Sequence, residues 1–541
     1  MKKTLSRRKF LSLGGMGLAA ATLAACAPGL APSLSPTVPP NPGNDGPTSP
    51  SRPAATPTSR SAAPADVAIA LAAAPATVSL FSGKPTEVWQ FSGRVLEGAA
   101  DALQPVPNSY LGPTFRVKKG QRLNVSFTHD LPQESIVHWH GLHVPAEMDG
   151  HPQYAINKGE TFEYSYKILN RAGTYWYHPH PHGITGPQVY AGMAGFFLVS
   201  DEEEQALGLP SGEFDIPLVI QDRIFDADNQ LVYRANGMMG FLGEQILVNG
   251  QPDFSLPVAT RPYRLRLLNG SNSRIYKLGW SDNSPFTVIA TDGGLLEKPV
   301  QRPYITLAPA ERVELWVDFS NRAVGDVITL KSLSFISPAR GGMMGGGMMG
   351  GGSSLELGDS FDVLTVNVTR KSDDRPKLPV RLSTIERLSP GDAVATKTVT
   401  LAMRPPNGWT LNGRSFQMTA VAPEERVKLN TIEIWEFVND GGGRGMMGGG
   451  MMLPHPMHMH GEQFQVLDRQ ISRSGRRAWQ DLSQGFVDEG WKDTVLVMPG
   501  ERVRVIRRFA DFTGLFLYHC HNLEHEDMGM MRNFEIVAPS S

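Results

Sequence analysis

Histidine is concentrated in four short segments whose spacing is suited to binding metal ions. The chain has 14 histidines, and none lies between His182 and His455. Clustered imidazoles are poor core material, because buried polar groups need partners. The segments are His138-Trp139-His140-Gly141, His178-Pro179-His180, His455-Pro456-Met457-His458-Met459-His460-Gly461, and His519-Cys520-His521 with His525 and Met530 behind it.

The fourth segment can serve two metal sites if it forms a strand. Successive side chains of a strand point to opposite faces, so His519 and His521 share one face and Cys520 occupies the other. A cysteine with two imidazoles and a weak axial thioether forms a trigonal blue-copper site. His519 and His521 would then face a second site made only of imidazoles. Neighbouring residues connect the two sites covalently, which suits electron transfer.

The other segments repeat the same two-residue spacing. His138/His140, His178/His180 and His458/His460 can each present two imidazoles on one face of a strand. His455 is an odd number of residues from His458 and can turn toward Cys520 instead. One such pair arises by chance on exposed strands. Four pairs, one of them enclosing a cysteine, favour metal binding over packing.

The four segments resemble the signature motifs of the multicopper oxidases, which read HxHG, HxH, HxxHxH and HCHxxxHxxxxM. The resemblance extends from about residue 80 to the C-terminus, and it includes less specific matches at Arg264–Asn269 and Trp491–Thr494. It implies an all-β fold of three consecutive cupredoxin-like Greek-key β-sandwich or barrel domains. Because the middle of the chain has no histidine, the copper sites are expected between the first and third domains.

The resemblance also implies four copper ions and a role for each ligand. The type 1 copper would be bound by His455, Cys520 and His525, with Met530 axial and Met528 and Met531 as competing candidates. The type 2 copper would be bound by His138 and His458. The type 3 pair would be bound by His140, His178, His180, His460, His519 and His521.

The implied reaction couples four one-electron oxidations to the reduction of O2 to water. This reduction consumes protons, so a carboxylate relay is expected, and Asp149 and Glu526 match the relay carboxylates of the family. The alternatives are an ordinary turn at Asp149-Gly150 and a solvated charge at Glu526. Of the histidines outside the motifs, His182 is expected beside the second segment. The other three, His129, His143 and His151, are expected at the surface.

Two Met-Gly segments favour Cu(I) as the substrate, because thioethers are soft ligands that prefer it. They are Met343–Met349 and Met446–Met452, and the second ends just before His455. The cuprous oxidases of the family carry an aspartate where this chain has Met451. One alternative is a laccase that oxidises phenolic or aromatic donors, with the Met-Gly segments as loop filler. A second is a non-enzymatic copper-binding or electron-transfer protein.

The elements that must position these residues are short strands. Runs such as Val313–Phe319 and Arg502–Val505 alternate apolar and polar residues between turn residues, as β-sandwiches and barrels do. Three domains are predicted, at residues 71–205, 206–375 and 376–541. The net charge of −2 gives no basic surface for nucleic acid. The expected partners are O2 and either Cu(I) or a small aromatic reductant, and a monomer is expected.

The N-terminus predicts export. Residues 1–25 form a signal peptide in which Ser6–Leu11 matches the twin-arginine motif, and the apolar run after it is too short to span a bilayer. Leu23-Ala24-Ala25-Cys26 resembles a lipobox, so Cys26 is expected to carry lipid, the alternative being an ordinary signal peptide. Residues 26–70 read as a Pro/Ser/Ala-rich linker. The protein is therefore expected on the periplasmic or extracellular side of the membrane, anchored by lipid.

Overall fold

The computed structural model of the protein describes residues 64–235, 238–338, 355–404, 408–439 and 453–539. The predicted signal peptide, the lipid site at Cys26, nearly all of the predicted linker and both Met-Gly segments lie outside these ranges. Within them β-strands dominate, and none of the helices is long and apolar enough to cross a membrane. The strands form three consecutive pairs of sheets along the chain.

The first pair of sheets begins earlier than the sequence predicts. Val67, Ile69 and Leu71 alternate with less buried residues and enter the core, so the first strand starts inside the predicted linker. The strands are β1 (Val67–Val78), β2 (Thr86–Glu97), β3 (Leu103–Gln104), β4 (Thr114–Lys118), β5 (Arg122–His129), β6 (Val137–His140), β7 (Thr161–Lys167), β8 (Gly173–Pro179) and β9 (Gly195–Ser200). Their orders are β2-β1-β5-β7 and β3-β4-β9-β8-β6.

The second pair contains the largest sheet among the described residues. Its strands are β10 (Asp215–Arg223), β11 (Gln245–Val248), β12 (Gln251–Pro252), β13 (Ser255–Ala259), β14 (Pro262–Asn269), β15 (Tyr276–Trp280), β16 (Phe286–Thr291), β17 (Gly294–Arg302), β18 (Ile305–Leu307), β19 (Arg312–Asp318), β20 (Val327–Ser332) and β21 (Phe361–Arg370). Their orders are β12-β11-β10-β14-β19-β16-β17 and β13-β21-β20-β15-β18. We call residues 206–375 the middle region.

The third pair carries the last two histidine segments. Its strands are β22 (Ala393–Met403), β23 (Trp409–Leu411), β24 (Arg426–Lys428), β25 (Thr431–Asn439), β26 (His455–Met459), β27 (Phe464–Ile471), β28 (Thr494–Val497), β29 (Glu501–Phe509), β30 (Gly514–Cys520) and β31 (Met531–Val537). Their orders are β23-β22-β25-β29-β27 and β24-β31-β30-β26-β28.

The three pairs share one topological feature. The first long strand of each pairs in parallel with a later strand, as in β1 with β5, β10 with β14, and β22 with β25. Each pair of sheets also encloses a hydrophobic cluster of its own, built from the inward residues of both sheets. Repetition of this pattern is what three copies of one sandwich fold produce.

Four short α-helices lie between the strands of the described residues, and two of them join the first and third pairs of sheets. The four are α1 (Thr185–Tyr190), α2 (Glu202–Gln205), α3 (Arg476–Ser483) and α4 (Leu523–Asp527). α4 directly follows β30 and carries His525 and Glu526. Asp527, at its end, accepts hydrogen bonds from the backbone N–H groups of Thr185 and Gly186 in α1. The C-terminal histidine segment is thereby tied to the helix that follows His178 and His180.

Candidate metal centre

Two antiparallel strand pairs bring the four histidine segments together. β6 pairs with β8 so that His138 lies opposite His178. β26 pairs with β30 so that His458 lies opposite His519. Residues directly opposite each other are close neighbours on one face of a sheet. Each sheet therefore presents a patch of imidazoles, and the two patches face each other.

The facing patches interleave into two groups of three imidazoles. The groups are His140, His178 and His521, and His180, His460 and His519. Nitrogen atoms that converge within a group lie 3.2–3.5 Å apart. A third contact joins Nε2 of His138 to Nε2 of His458 at 3.4 Å. Every group combines residues from both ends of the chain, as the histidine-free middle region led us to expect.

The outward nitrogens of three of these imidazoles hydrogen-bond to oxygen. Nδ1 of His138 is 2.6 Å from the backbone oxygen of Asp149, and Nδ1 of His458 is 2.8 Å from that of Asp493. Nδ1 of His460 is 2.7 Å from the carboxylate of Asp149. Carbonyl and carboxylate oxygens accept hydrogen bonds, so these nitrogens donate. The inward nitrogens then carry lone pairs.

All eight imidazoles are fully buried. This desolvation lowers the pKa of His178 to about 4 and that of His180 to about 3, so both rings are neutral near pH 7. Neutral imidazole is the form that binds metal. Three lone pairs that converge without a proton to share repel one another, whereas a cation satisfies all of them. The donor set therefore fits copper, for which imidazole is a suitable ligand.

Cys520 lies on the opposite face of β30, as side-chain alternation predicts. Its Sγ is 3.4 Å from Nδ1 of His455 and 3.7 Å from Nδ1 of His525, and these two nitrogens are 3.2 Å apart. Trp409 packs against both rings, with centroids 5.0 Å from His455 and 4.2 Å from His525. Burial raises the pKa of the Cys520 thiol, so it becomes a thiolate only when a cation replaces its proton.

The three methionines near the C-terminus have different surroundings. Met530 is fully buried and belongs to the same hydrophobic cluster as Cys520. Its backbone oxygen accepts a hydrogen bond from the Cys520 N–H. Met531 packs in a separate cluster, and Met528 is exposed. These surroundings favour Met530 as the thioether beside Cys520.

Asp149 and Glu526 approach one histidine group from two sides. The Asp149 carboxylate contacts His460, as described above. Oε2 of Glu526 is 3.1 Å from Nδ1 of His519, and its Oε1 is 3.6 Å from Nε2 of His180. Burial raises the pKa of Asp149 well above its usual value. Burial also acts to raise the pKa of Glu526, but His519, which hydrogen-bonds to this carboxylate, outweighs it and holds the pKa below its usual value.

The histidines outside the motifs correct one prediction. His129, His143 and His151 are buried, although the sequence placed them at the surface. Each finds an oxygen partner: the Ile156 carbonyl for His129, Asp511 for His143 and Asn533 for His151. An imidazole with one hydrogen bond to an acceptor can be buried neutral at small cost, which composition alone does not reveal.

His182 is the remaining histidine of this kind. It is exposed, and its ring packs against Phe416 at a centroid distance of 5.0 Å. It follows the second segment in sequence, yet it takes no part in the imidazole contacts described above.

Comparison with known proteins places the chain in a family. Residues 90–204 and 390–540 each match a family model of the multicopper oxidases. The chain is 30% identical over 506 residues to a laccase of Bacillus stratosphericus, which covers 84% of this chain and 91% of that one. It is 31% identical over 427 residues to multicopper oxidase mco of Staphylococcus haemolyticus, with 79% and 82% covered. The crystal structure of the McoA multicopper oxidase of Aquifex aeolicus superposes with a TM-score of 0.72 at 34% identity and covers 87% of this chain and 96% of that one.

The chain belongs to the multicopper oxidase family. As a multicopper oxidase it is an oxidoreductase that contains copper and passes electrons from a reducing substrate to O2. The expected fold, all-β with three cupredoxin-like domains, is confirmed. The domain boundaries at residues 206 and 376 stay predictions, as do the copper type that each ligand binds and the relay roles of Asp149 and Glu526.

Several residues that contact the imidazoles of this multicopper oxidase were not predicted as site residues from the sequence. Asp493 and Thr494 contact His140 and His458, and Glu524 anchors a loop over His525. Asp493 and Thr494 belong to the Trp491–Thr494 match, so a signal for them was present without a role. For Glu524 the only signal was its place beside His525.

Proposed function

We propose that the imidazole groups and the cysteine bind four copper ions. The type 1 ion would be bound by His455, Cys520 and His525, with Met530 as the thioether ligand. The type 2 ion would be bound by His138 and His458. The type 3 pair would be bound by His140, His178, His180, His460, His519 and His521. Bound copper supplies one-electron acceptance at the cysteine and O2 reduction at the imidazole cluster. The distances between nitrogens within each group support this assignment.

The backbone of β30 connects the two sites. Cys520 is bonded covalently to its neighbours His519 and His521, which point to the other face of the strand. Its N–H is also held by Met530, and the backbone N–H of Asn522 donates to Sγ at 3.4 Å. These contacts fix the cysteine relative to the imidazoles. A rigid connection suits repeated electron transfer between them.

Asp149 and Glu526 would deliver protons to the oxygen-reducing side. Both are buried beside the group formed by His180, His460 and His519. A carboxylate within hydrogen-bond reach can hold a proton and pass it on during the reaction. Their position on the histidine face, away from Cys520, separates proton delivery from electron uptake.

We propose Cu(I) as the reducing substrate, and one contact of Met238 carries this proposal. Its backbone oxygen is 3.3 Å from Nε2 of His525, the outward nitrogen of an imidazole whose Nδ1 faces Cys520. Met238 itself is 36% exposed. Met238 thus covers the outer edge of the type 1 site with its backbone carbonyl and carries a thioether at the protein surface. Thioethers select Cu(I) over hard cations.

Glu524 fastens the loop that carries Met238. One carboxylate oxygen accepts a hydrogen bond from the Tyr233 hydroxyl at 2.8 Å, and the other accepts one from the Phe241 N–H at 3.0 Å. Both ends of the loop are therefore attached to α4, the helix that carries His525. The contact between Met238 and His525 is consequently part of the folded architecture.

The sequence supports the same substrate. Met446–Met452 ends just before His455, and Met239 continues the pair that begins at Met238. The side chain of Met239 packs against the cluster that contains Cys520. Methionines thus adjoin the type 1 site in the structure, through Met238 and Met239, and adjoin His455 in the sequence.

The second candidate is a laccase. The relative in Bacillus stratosphericus is named a laccase. A phenolic donor would pass its electron to the same outer edge of His525. For a phenolic donor, the thioether of Met238 would not affect the rate of oxidation. The two candidates therefore differ in whether the thioether is needed.

Substituting Met238 separates the two candidates. Met238→Leu keeps the volume and the backbone oxygen but removes the thioether. We expect kcat/KM for Cu(I) to fall about tenfold or more and kcat/KM for a phenol to stay within about twofold. Met418→Leu is the matched control, because Met418 is equally exposed at 37% on another loop. Equal Cu(I) oxidation by both variants would reject the thioether site and favour the laccase.

We propose that the enzyme acts outside the cytoplasm, anchored by lipid on Cys26. The twin-arginine motif at Ser6–Leu11 and the lipobox at Leu23–Cys26 support this. Cys26→Ala should move the enzyme from the membrane fraction to the soluble exported fraction. Unchanged membrane association would contradict the anchor.

A further inference from the structure

Arg312 connects the histidine-free middle region to the imidazole cluster. It begins β19, is fully buried, and uses all five of its N–H donors. Nε donates to the Thr174 carbonyl, and the two terminal nitrogens donate to the carbonyls of Ala310 and Asp292. The same two nitrogens each donate to one carboxylate oxygen of Asp493, Nη1 to Oδ1 at 2.7 Å. One guanidinium thus contacts all three parts of the fold.

Asp493 passes this contact on to the imidazoles. Its Oδ1 is 3.1 Å from Nε2 of His140, and its backbone oxygen is 2.8 Å from Nδ1 of His458. Thr494 supports both, with Oγ1 at 3.3 Å from each of these nitrogens. One residue therefore orients an imidazole from each end of the chain.

The Asp493 carboxylate and the Arg312 guanidinium are packed closely against the backbone of Gly141. A Cβ placed on Gly141, the residue after His140, would lie 2.5 Å from Oδ2 of Asp493 and 2.9 Å from Nη2 of Arg312. Gly141 also has a positive φ of 86°. Guanidinium, carboxylate and backbone are thus packed against each other at the point where the first histidine segment ends.

Lys492, a second buried cation near Asp493, is engaged elsewhere. Nζ of Lys492 pairs with Asp292 at 3.0 Å and with Glu311 at 3.2 Å. Within the described ranges, Arg312 is the one cationic side chain that hydrogen-bonds to the Asp493 carboxylate. A planar, two-point contact of this kind fixes the orientation of a carboxylate in a way that a lysine does not.

We propose that Arg312 is a positioning residue for the type 2 copper and for its neighbour in the type 3 pair. It holds the plane of Asp493, and Asp493 holds the outward nitrogens of His140 and His458. The inward nitrogens of these two imidazoles therefore face the cluster. The middle region, which supplies no ligand, thereby controls whether the cluster is filled. This inference rests on the ligand assignment proposed above and is independent of the substrate.

The test compares three variants of the full-length enzyme loaded with copper. In Arg312→Met the contact is removed, and in Arg312→Lys the charge stays but the two-point geometry is lost. Arg264→Met is the matched control, since Arg264 is also buried in the large middle sheet and pairs with Glu314 and Glu204 rather than with Asp493. The readouts are copper per chain and the ratio of type 2 to type 1 signal in electron paramagnetic resonance.

We expect both Arg312 variants to bind type 2 copper about 10–100-fold more weakly, the usual effect of losing an orienting partner. Copper per chain should fall by about one ion while the type 1 signal and the blue absorption stay. Arg264→Met should lower the melting temperature and leave the signal ratio unchanged.

Three results would overturn the inference. A wild-type signal ratio in Arg312→Met, or in Arg312→Lys if the methionine variant does not fold, would remove the role of the two-point contact. Parallel loss of both copper signals in the Arg312 variants, as a general loss of stability produces, would do the same. A wild-type enzyme without a type 2 signal would reject the ligand assignment itself, whatever its substrate.

Discussion

The two faces of β30 have different surroundings although they share a backbone. On the Cys520 face, Trp409 packs against the two imidazoles, and Met530 lies in the same hydrophobic cluster as Cys520. The contact beyond the imidazoles is the carbonyl of Met238. On the histidine face, the imidazoles are held by the carboxylates of Asp149, Asp493 and Glu526. One face is apolar and reaches a surface loop, whereas the other is charged and enclosed.

This difference matches two chemical tasks. Accepting one electron changes the charge of a site but moves few protons, so an apolar environment with a short path to the surface suffices. Reducing O2 consumes protons, so titratable groups must lie near the reaction. Because the two faces have separate surroundings, each half of the reaction can be disturbed by substitutions that leave the other half intact.

The largest effect should come from removing the cysteine through which electrons would pass from one face to the other. Cys520→Ser loses the thiolate, so electrons no longer reach the cluster, and we expect turnover to fall about a thousandfold or more. Blue absorption should disappear and copper per chain should fall by about one ion. Oxygen uptake and metal analysis measure this. Turnover within about tenfold of wild type would mean that electrons reach the histidine face without Cys520.

Glu526→Gln should break only the histidine face. It keeps the shape of the side chain but cannot release a proton, so we expect O2 reduction to slow about 100-fold. The blue absorption should remain, because Glu526 lies away from Cys520. Stopped-flow reoxidation of the reduced enzyme measures the step. Unchanged reoxidation would remove Glu526 from proton delivery.

Acid should destabilise the metal-free enzyme through buried histidines such as His151. Burial lowers the pKa of folded His151 to about 4, whereas an unfolded histidine titrates near 6.5. Between these values the unfolded chain binds more protons, so stability is present above pH 6.5 and is lost as the pH falls. From pH 7 to pH 5 this histidine should contribute about 2 kcal/mol of lost stability.

Denaturant unfolding of the metal-free His151→Gln variant measures that contribution. Its stability should depend less on pH than that of wild type, by the same ~2 kcal/mol. Equal pH dependence in the two proteins would show that His151 is not held neutral.

The smallest effect should come from loosening the Cys520 face at its surface. Glu524→Gln weakens the hydrogen bonds to Tyr233 and Phe241, so the loop with Met238 is held less firmly over His525. We expect KM for Cu(I) to rise about threefold to fivefold, the cost of roughly one weakened hydrogen bond. KM for O2 should not change. A change in KM for O2 alone would show that Glu524 serves the histidine face instead.

Local sequence rules accounted for much of the candidate site. Two-residue spacing correctly placed His519 and His521 opposite Cys520, because alternation depends only on neighbouring residues. The absence of histidine from the middle of the chain correctly located the cluster between residues from both ends. The predicted surface positions of His129, His143 and His151 were wrong. These histidines are buried because they find partners such as Asp511 that lie far away in sequence.

The contributions of the middle region escaped the sequence for the same reason. Arg312 is an ordinary charged residue of an alternating strand until Asp493, 181 positions later, meets its guanidinium. Met238 belongs to a Met pair between two glycines, and its role becomes visible only because Glu524 attaches its loop to α4. Neither contact has a periodicity or a motif, so only packing reveals them.

The sequence by itself determined the donor atoms, their division between two faces of a strand and the family to which the chain belongs. Those properties follow from residue types and from spacings of a few positions, which the backbone converts directly into geometry. Only the tertiary structure decided which imidazoles share a site, which carboxylates orient them and what covers His525. Those properties depend on residues hundreds of positions apart, and their contacts exist only once the sheets have packed.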